Sequence, residues 1–180
     1  MAFFHVIIPA AGAGSRMAES AKSVLPKQYM LLAGKPIISH TIQTFFNHPR
    51  IASIHVALSP DDLFWRDLPL DPASKLKLHY TGGESRSETV LNTLMSIDVA
   101  DDDWILVHDA ARPGLTHALQ ANIHAASSPA SSNQLATDVS EAIEALGLQP
   151  TLVPGELRNL KITYPQDLVL LEAVFKQEEI

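Results

Sequence analysis

Cysteine is absent from the 180-residue sequence, and this absence excludes disulfides, thiolate zinc sites and cysteine nucleophiles. Positive charge is scarce: 13 Lys and Arg residues face 20 Asp and Glu residues, so the broad attraction that supports nucleic-acid binding is missing. No apolar run approaches the roughly 18 residues that a membrane helix requires, and the start MAFFHVIIPAAGAG lacks the basic region of a signal peptide. We therefore expect a cytoplasmic protein with no nucleic-acid partner and no membrane contact.

The apolar content is sufficient for one hydrophobic core. Hydrophobic residues make up 46% of the chain, and this length favours a single domain over residues 1–180. The formal charge of −7 means that any phosphate site must be a local concentration of positive charge.

Short apolar or β-branched runs alternate with longer amphipathic stretches, which is typical of βα units in a mostly parallel sheet. The predicted strands are residues 4–8, 54–58, 76–80, 104–107, 151–153 and 160–163. The predicted helices lie within residues 36–47, 86–96 and 165–176. The polar-x-x-Glu/Gln spacing predicts three capped helix starts, at Ser85 with Glu88, Asp138 with Glu141, and Thr163 with Gln166. The fold class is therefore α/β, and the small polar residues 127–134 indicate a loop.

A glycine-rich segment, PAAGAGSRM at residues 9–17, follows the first predicted strand. Small residues let the backbone approach an anion, and successive N–H groups before a helix can donate to phosphate oxygens. The segment matches neither the P-loop nor the dinucleotide fingerprint, because a third glycine and a Gly-Lys-Ser/Thr sequence are both missing. The two glycines alone fit a simple turn equally well.

Two cations favour the phosphate interpretation of this loop. Arg16 follows the loop directly, and a guanidinium can bind phosphate through two hydrogen bonds. Lys27 comes soon after, next to Pro26, which restricts the backbone. Lys27 alone would be read as a solvated lysine, as Lys22 is, but with the loop and Arg16 it indicates a triphosphate site.

Asp109 lies just past the end of the predicted strand 104–107. Open α/β sheets bind ligands at the carboxyl ends of their strands, and Mg²⁺ prefers oxygen ligands, so Asp109 is the predicted metal ligand. The alternative is an aspartate that caps a turn or helix. Since nucleotidyl transfer depends on positioning and charge neutralisation, two fixed cations and one divalent metal are sufficient for it. We assign no chemistry to His108.

Five motifs together resemble the 2-C-methyl-D-erythritol 4-phosphate cytidylyltransferase family. They are residues 9–17 (PAAGAGSRM), 26–29 (PKQY), 82–86 (GGESR), 108–113 (HDAARP) and 159–163 (NLKIT). The first two are shared with sugar nucleotidyltransferases broadly, whereas HDAARP and the Asn-x-Lys motif are specific to this family and its close relatives. The resemblance covers residues 6–115 and 137 to the end.

The resemblance implies a Rossmann-like three-layer sandwich of the nucleotide-diphospho-sugar transferase type. It implies that CTP and methylerythritol phosphate are joined, with release of pyrophosphate, in non-mevalonate isoprenoid biosynthesis. Arg16 and Lys27 would bind the triphosphate and stabilise the transition state, and Lys161 would reach the phosphate being activated. The implied nucleotide-binding residues are Pro9, Ala10, Ala11, Gly12, Ala13, Gly14, Gly83, Glu84, Thr89, Asp109 and Ala110. Among these, Gly83, Glu84 and Thr89 would face the cytosine, and Asp109 would serve the ribose and Mg²⁺.

The chain departs from the family pattern near residues 115–117, where a segment used for a projecting arm and dimer contacts is missing. If the protein does contain that segment, and the given sequence only omits it, we expect an active homodimer. If the protein is truly shortened, acceptor binding and dimerisation should suffer while CTP binding is spared. Two further differences are residues 139–141, Val-Ser-Glu, and a longer stretch at residues 22–25.

Three functions stay open at this point: the cytidylyltransferase, a nucleotidyltransferase for another sugar or polyol phosphate, and a CTP-binding protein without turnover. Comparing CTP with UTP and dTTP separates the first two. Release of pyrophosphate separates both from the third.

Overall fold

The computed structural model describes residues 3–14, 25–68, 75–116 and 154–177. Within them the elements are β1 (Phe4–Pro9), β2 (Leu31–Leu32), β3 (Lys35–Pro36), α1 (Ile37–Phe46), β4 (Ile51–Ala57), β5 (Leu76–His79), α2 (Arg86–Leu94), β6 (Trp104–Val107) and α3 (Pro165–Lys176). Four strands form a parallel sheet in the order β5-β4-β1-β6, and β2 and β3 form a separate antiparallel pair. The fold is α/β with a parallel central sheet, as predicted.

Strand β1 lies inside the sheet, because it pairs with β4 on one side and with β6 on the other. Both of its faces are covered. Val6, Ile7 and Ile8 are fully buried, which matches the continuous apolar run expected of a covered parallel strand. Helix α1 packs Ile38 and Phe45 into the same core cluster as Val6 and Ile8. This packing fixes the end of β1, where the glycine-rich loop begins.

The opposite face of the sheet carries a polar cluster. His5, Ser53 and His55 alternate with the apolar residues of β1 and β4, so their side chains point away from α1. Ser53 Oγ lies 2.6 Å from His5 Nδ1 and 2.6 Å from His55 Nε2, and His55 Nδ1 lies 2.9 Å from His79 Nε2. The chain of contacts ends at Ser96, which follows α2 and whose Oγ lies 3.1 Å from His79 Nδ1.

The strands predicted at residues 4–8, 54–58, 76–80 and 104–107 are confirmed, although the second begins earlier, at Ile51. The strand predicted at 160–163 is wrong: that segment belongs to neither sheet of the described residues. Its Ile162 N–H donates to Ala111 O at 2.9 Å. The predicted strand 151–153 and the predicted loop 127–134 lie outside the described residues.

The predicted capping residues are partly confirmed. Ser85 Oγ accepts from Glu88 N at 3.1 Å, as expected, but the Glu88 carboxylate accepts from Glu84 N at 2.8 Å instead of returning to Ser85. The pair Asp138 and Glu141 lies outside the described residues.

The cap predicted from Thr163 and Gln166 is wrong. Asp167 Oδ2 accepts from both Thr163 N and Tyr164 N at 2.8 Å, because Tyr164 is the N-cap and Pro165 the first helical residue of α3. Among the described residues, no helix has the length and apolar character needed to cross a bilayer.

Candidate active site

A cavity of about 420 Å³ opens where the carboxyl ends of β1 and β6 meet the start of α2. It is lined by Pro9, Ala10, Ala11, Gly12, Ala13, Gly14, Lys27, Gln28, Gly83, Glu84, Ser85, Arg86, Thr89, Asp109, Ala110, Ala111, Lys161 and Thr163. Every site residue predicted from the sequence lines this cavity, except Arg16, which lies outside the described residues. The position at the strand carboxyl ends is the one expected for a ligand site in an open α/β sheet.

The glycine-rich loop leaves β1 and folds back against the segment that carries Lys27. Gly14 has a φ of +67°, in the left-handed region, and a Cβ at Gly14 would lie 3.1 Å from Lys27 Cγ. A side chain at this position would therefore be strained and crowded. Lys27 Nζ donates to Ile162 O at 3.1 Å, so the ammonium already bridges the loop side and the Lys161 side of the cavity.

The GGESR motif forms the turn into α2. A Cβ at Gly82 would lie 2.5 Å from Ala11 Cβ, so glycine is what lets this turn approach the glycine-rich loop. Gly83 N donates to Thr89 Oγ1 at 3.0 Å, and Thr89 is buried. Thr89 therefore holds the turn in place, and the amino-terminal end of α2, with its partial positive charge, points at the cavity.

Asp109 lies at the centre of a cluster of three cations. Its Oδ1 accepts from Arg86 Nε at 2.9 Å, and its Oδ2 accepts from Arg112 Nε at 3.1 Å and from Lys161 Nζ at 3.0 Å. Burial alone would raise the pKa of Asp109, but the hydrogen bond from Lys161 and the charges of Arg86 and Lys161 outweigh burial and lower it to about 2. The carboxylate is ionised at neutral pH, and the cluster keeps a net positive charge suited to an anion.

Lys161 reaches this cluster because its segment is docked against the residues that follow β6. Arg112 Nη1 donates to Asn159 O at 2.9 Å, and Arg158 Nε donates to Gly114 O at 3.0 Å. These contacts orient Lys161 without the predicted strand.

His108 has a structural position. Its Nε2 donates to Arg112 O at 2.9 Å, and its ring meets Phe45 edge-on with centroids 5.1 Å apart. Burial lowers the pKa of His108, so the ring is neutral at neutral pH.

Several cavity or cluster residues were not predicted as site residues, among them Gln28, Arg86 and Arg112. Gln28, Arg86 and Arg112 each belong to a recognised motif, PKQY, GGESR or HDAARP, and each makes polar contacts within the site. Their positions in those motifs could have identified these three residues as site residues.

Comparisons with known proteins agree with this architecture. The sequence profile of the family described as IspD, 2-C-methyl-D-erythritol 4-phosphate cytidylyltransferase, matches residues 4–132 and 120–177. The enzyme of that name from Nitrosospira multiformis is 38% identical over 230 aligned positions, covering 96% of this chain and 97% of the relative. The chain belongs to the 2-C-methyl-D-erythritol 4-phosphate cytidylyltransferase family.

Three further matches, one relative and two crystal structures, extend the comparison. The family member from Nitrosomonas eutropha is 34% identical over 236 aligned positions, with complete coverage of both chains. The crystal structure of the Francisella tularensis 2-C-methyl-D-erythritol 4-phosphate cytidylyltransferase has a TM-score of 0.74 and 26% identity, over 97% of this chain and all of that one. A crystal structure of a 4-diphosphocytidyl-2C-methyl-D-erythritol synthase has a TM-score of 0.78 and 25% identity, covering 97% and 99%. The cytidylyltransferase fold and family are therefore both matched along the whole chain.

Proposed function

We propose that this chain transfers the cytidylyl group of CTP to 2-C-methyl-D-erythritol 4-phosphate, releases pyrophosphate and thereby serves isoprenoid biosynthesis. The observation that carries the proposal is one cavity lined by the glycine-rich loop, by Lys27 and by the Asp109–Lys161 ion pair. The cavity has two sets of positive groups, the loop amides with Lys27 and the cations around Asp109. Two such sets suit a reaction that brings two phosphate-bearing substrates together.

In the proposed reaction, a phosphate oxygen of the acceptor attacks the α-phosphorus of CTP in line. The new P–O bond forms as the bond to the β-phosphate oxygen breaks, and its electron pair leaves with pyrophosphate. A phosphate monoester is already anionic at neutral pH, so the attack needs no general base. Lys27, together with Arg16, would neutralise the charge that grows on the triphosphate.

The acceptor phosphate would be held by the cations around Asp109. Lys161 would reach that phosphate directly, with Arg86 and Arg112 adding positive charge. Asp109 fixes the direction of all three side chains, so the donors are positioned before substrate arrives.

The nucleotide would lie along the loop, with Pro9, Ala10, Ala11, Gly12, Ala13, Gly14 and Ala110 against it. The cytosine would face Gly83 and Glu84, with Thr89 supporting that turn through its hydrogen bond to Gly83 N. The choice between bases would therefore be made at the turn into α2.

The expected role of Asp109 as an Mg²⁺ ligand does not fit its contacts. Each carboxylate oxygen already accepts from a cationic side chain, and three adjacent positive charges oppose a divalent cation. The described residues contain no group of three or more His, Asp or Glu side chains arranged to hold a metal. We propose that Mg²⁺ associates with the phosphates of CTP, which is its usual preference, and that Asp109 serves the cations instead.

The alignments to the relatives are longer than the chain itself: 230 and 236 positions against 180 residues. This difference supports an internal segment present in the relatives and missing here, which we place near residues 115–117. It also favours one alternative function, CTP binding without turnover.

We propose a single cytoplasmic domain that forms a homodimer only if that segment is present.

A pyrophosphate-release assay with CTP, Mg²⁺ and methylerythritol phosphate tests the proposal. We expect turnover with CTP and far less with UTP or dTTP. CTP binding without pyrophosphate release would favour the alternative function. Equal turnover with UTP would instead indicate a nucleotidyltransferase of different specificity.

A further inference from the structure

Gln28 connects the glycine-rich loop to the segment that carries Lys27. Its side chain is buried, with 4% of its surface exposed, although it lines the cavity. Its Nε2 donates to Ala10 O at 2.8 Å and to Gly12 O at 3.3 Å. One amide group therefore binds two carbonyl oxygens of the loop that lines the cavity.

These two hydrogen bonds determine which ends of the loop peptides face Gln28. A carbonyl oxygen is the negative end of a peptide dipole, and it repels an anion that lies close to it. Because Gln28 holds the carbonyls of Ala10 and Gly12, their oxygens are turned towards its amide and cannot rotate into the cavity. A loop held in this way accepts an anion without first reorganising.

The contacts around Gln28 also fix the loop relative to Lys27. The loop begins at Ala10, where Ala10 N donates to Ala57 O at 2.8 Å, and it reaches Lys27 at Gly14. Lys27 and Gln28 are consecutive residues of one short 3₁₀ helix, Lys27–Tyr29. The residue that holds the loop and the residue that supplies the charge therefore move together.

Only a long side chain with an N–H donor can make this pair of bonds. Glutamate has nearly the same shape but is an acceptor when ionised, so it would face two carbonyl oxygens with no hydrogen to share. Methionine has a similar length and no donor, and it would leave two carbonyl groups unsatisfied.

We propose that Gln28 is a positioning residue for the triphosphate, acting by holding the Ala10 and Gly12 carbonyls away from the phosphates. The inference rests on the proposed function, since it assumes that the loop binds the β- and γ-phosphates of CTP. It predicts that losing the amide donor weakens the binding of CTP much more than that of CMP, which lacks those two phosphates.

The experiment compares wild type, Gln28→Glu, Gln28→Met and the control Gln43→Glu. Gln43 is an exposed residue on α1, so its variant makes the same charge change away from the cavity. Dissociation constants for CTP and CMP are measured by calorimetry, and the two KM values are measured by pyrophosphate release. Circular dichroism melting confirms that each variant is folded.

We expect the dissociation constant for CTP to rise about tenfold or more in Gln28→Glu, and less in Gln28→Met, while the constant for CMP changes by less than about threefold. The KM for the acceptor and all constants of Gln43→Glu should stay at wild-type values. If Gln28→Glu does not fold, the same split between CTP and CMP in Gln28→Met carries the test.

Unchanged CTP affinity in both Gln28 variants would overturn the inference. An equal loss of CTP and CMP affinity, together with a lower melting temperature, would also overturn it, since that result indicates a purely structural residue. Failure of the proposed function looks different, because the wild-type chain would then bind no CTP or would bind it without releasing pyrophosphate.

Discussion

Lys27 Nζ donates to the backbone carbonyl of Ile162 at 3.1 Å, across 135 residues of sequence. Ile162 is fully buried and follows Lys161, whose ammonium is bound to Asp109. The two lysines that approach the cavity from different parts of the chain are therefore held by one short segment. Its position sets the distance between the proposed triphosphate and acceptor sites.

Replacing Lys27 with alanine tests the triphosphate site. We expect Lys27→Ala to lower kcat by at least about 100-fold, the usual loss when one group that stabilises developing charge is removed. The control is Lys35→Ala, because Lys35 is exposed on β3 and does not line the cavity. Pyrophosphate release measures both variants. A Lys27→Ala rate close to wild type would show that the catalytic assignment is wrong.

Replacing Asp109 with asparagine separates a metal ligand from an organiser of cations. Because Asp109 binds Arg86, Arg112 and Lys161, we expect Asp109→Asn to raise the KM for the acceptor about tenfold or more through loss of charge-assisted hydrogen bonds. The Mg²⁺ concentration for half-maximal rate should not change. Steady-state kinetics with varied Mg²⁺ give both values, with the exposed Asp101→Asn as control. A large increase in the Mg²⁺ requirement alone would restore the metal-ligand role.

The start of α3 can be tested with two neighbouring substitutions. Asp167→Ala removes the carboxylate that accepts from Thr163 N and Tyr164 N, so we expect the free energy of unfolding to fall by about 1 kcal/mol. Gln166→Ala, at the exposed residue that the sequence spacing predicted as the capping partner, should change it by less than about 0.5 kcal/mol. Urea unfolding followed by circular dichroism measures both. The reverse order would contradict the observed cap.

His55 on β4 and His79 on β5 predict acid sensitivity. Burial, followed by the charges of His79, Lys77 and His5, lowers the pKa of His55 to about 4, and burial also lowers the pKa of His79. Between about pH 6.5, the ordinary histidine pKa, and about pH 4, the unfolded chain binds protons that the folded chain does not. The free energy of unfolding should therefore decrease as the pH falls through this window.

The acid sensitivity is measured by urea unfolding at pH 7.5, 6.5, 5.5 and 4.5. His55→Gln removes one of the titrating groups, so its stability should depend less steeply on pH than that of wild type. Identical slopes in the two proteins would show that His55 does not contribute.

Local signals predicted several elements with the correct bounds. Strand Trp104–Val107 and helix Pro165–Lys176 were both found where the sequence placed them. Each is bounded by residues that act locally, such as Pro165 at the first helical position. The alternation of Leu160, Lys161 and Ile162 indicated a strand. A strand also needs a neighbouring strand to pair with, and the sequence of one segment does not show whether such a neighbour is present.

The sequence by itself determined the loop PAAGAG, the family and most residues of the cavity, because glycine placement and short motifs act through the local backbone. Only the tertiary structure showed which groups Asp109 and Gln28 contact. Asp109 is a residue type that can bind a metal, yet it contacts three cationic side chains. They come from α2, from the turn after β6 and from the segment before α3. Such partners meet only when the chain is folded, since Coulomb attraction and hydrogen bonding depend on distances through space.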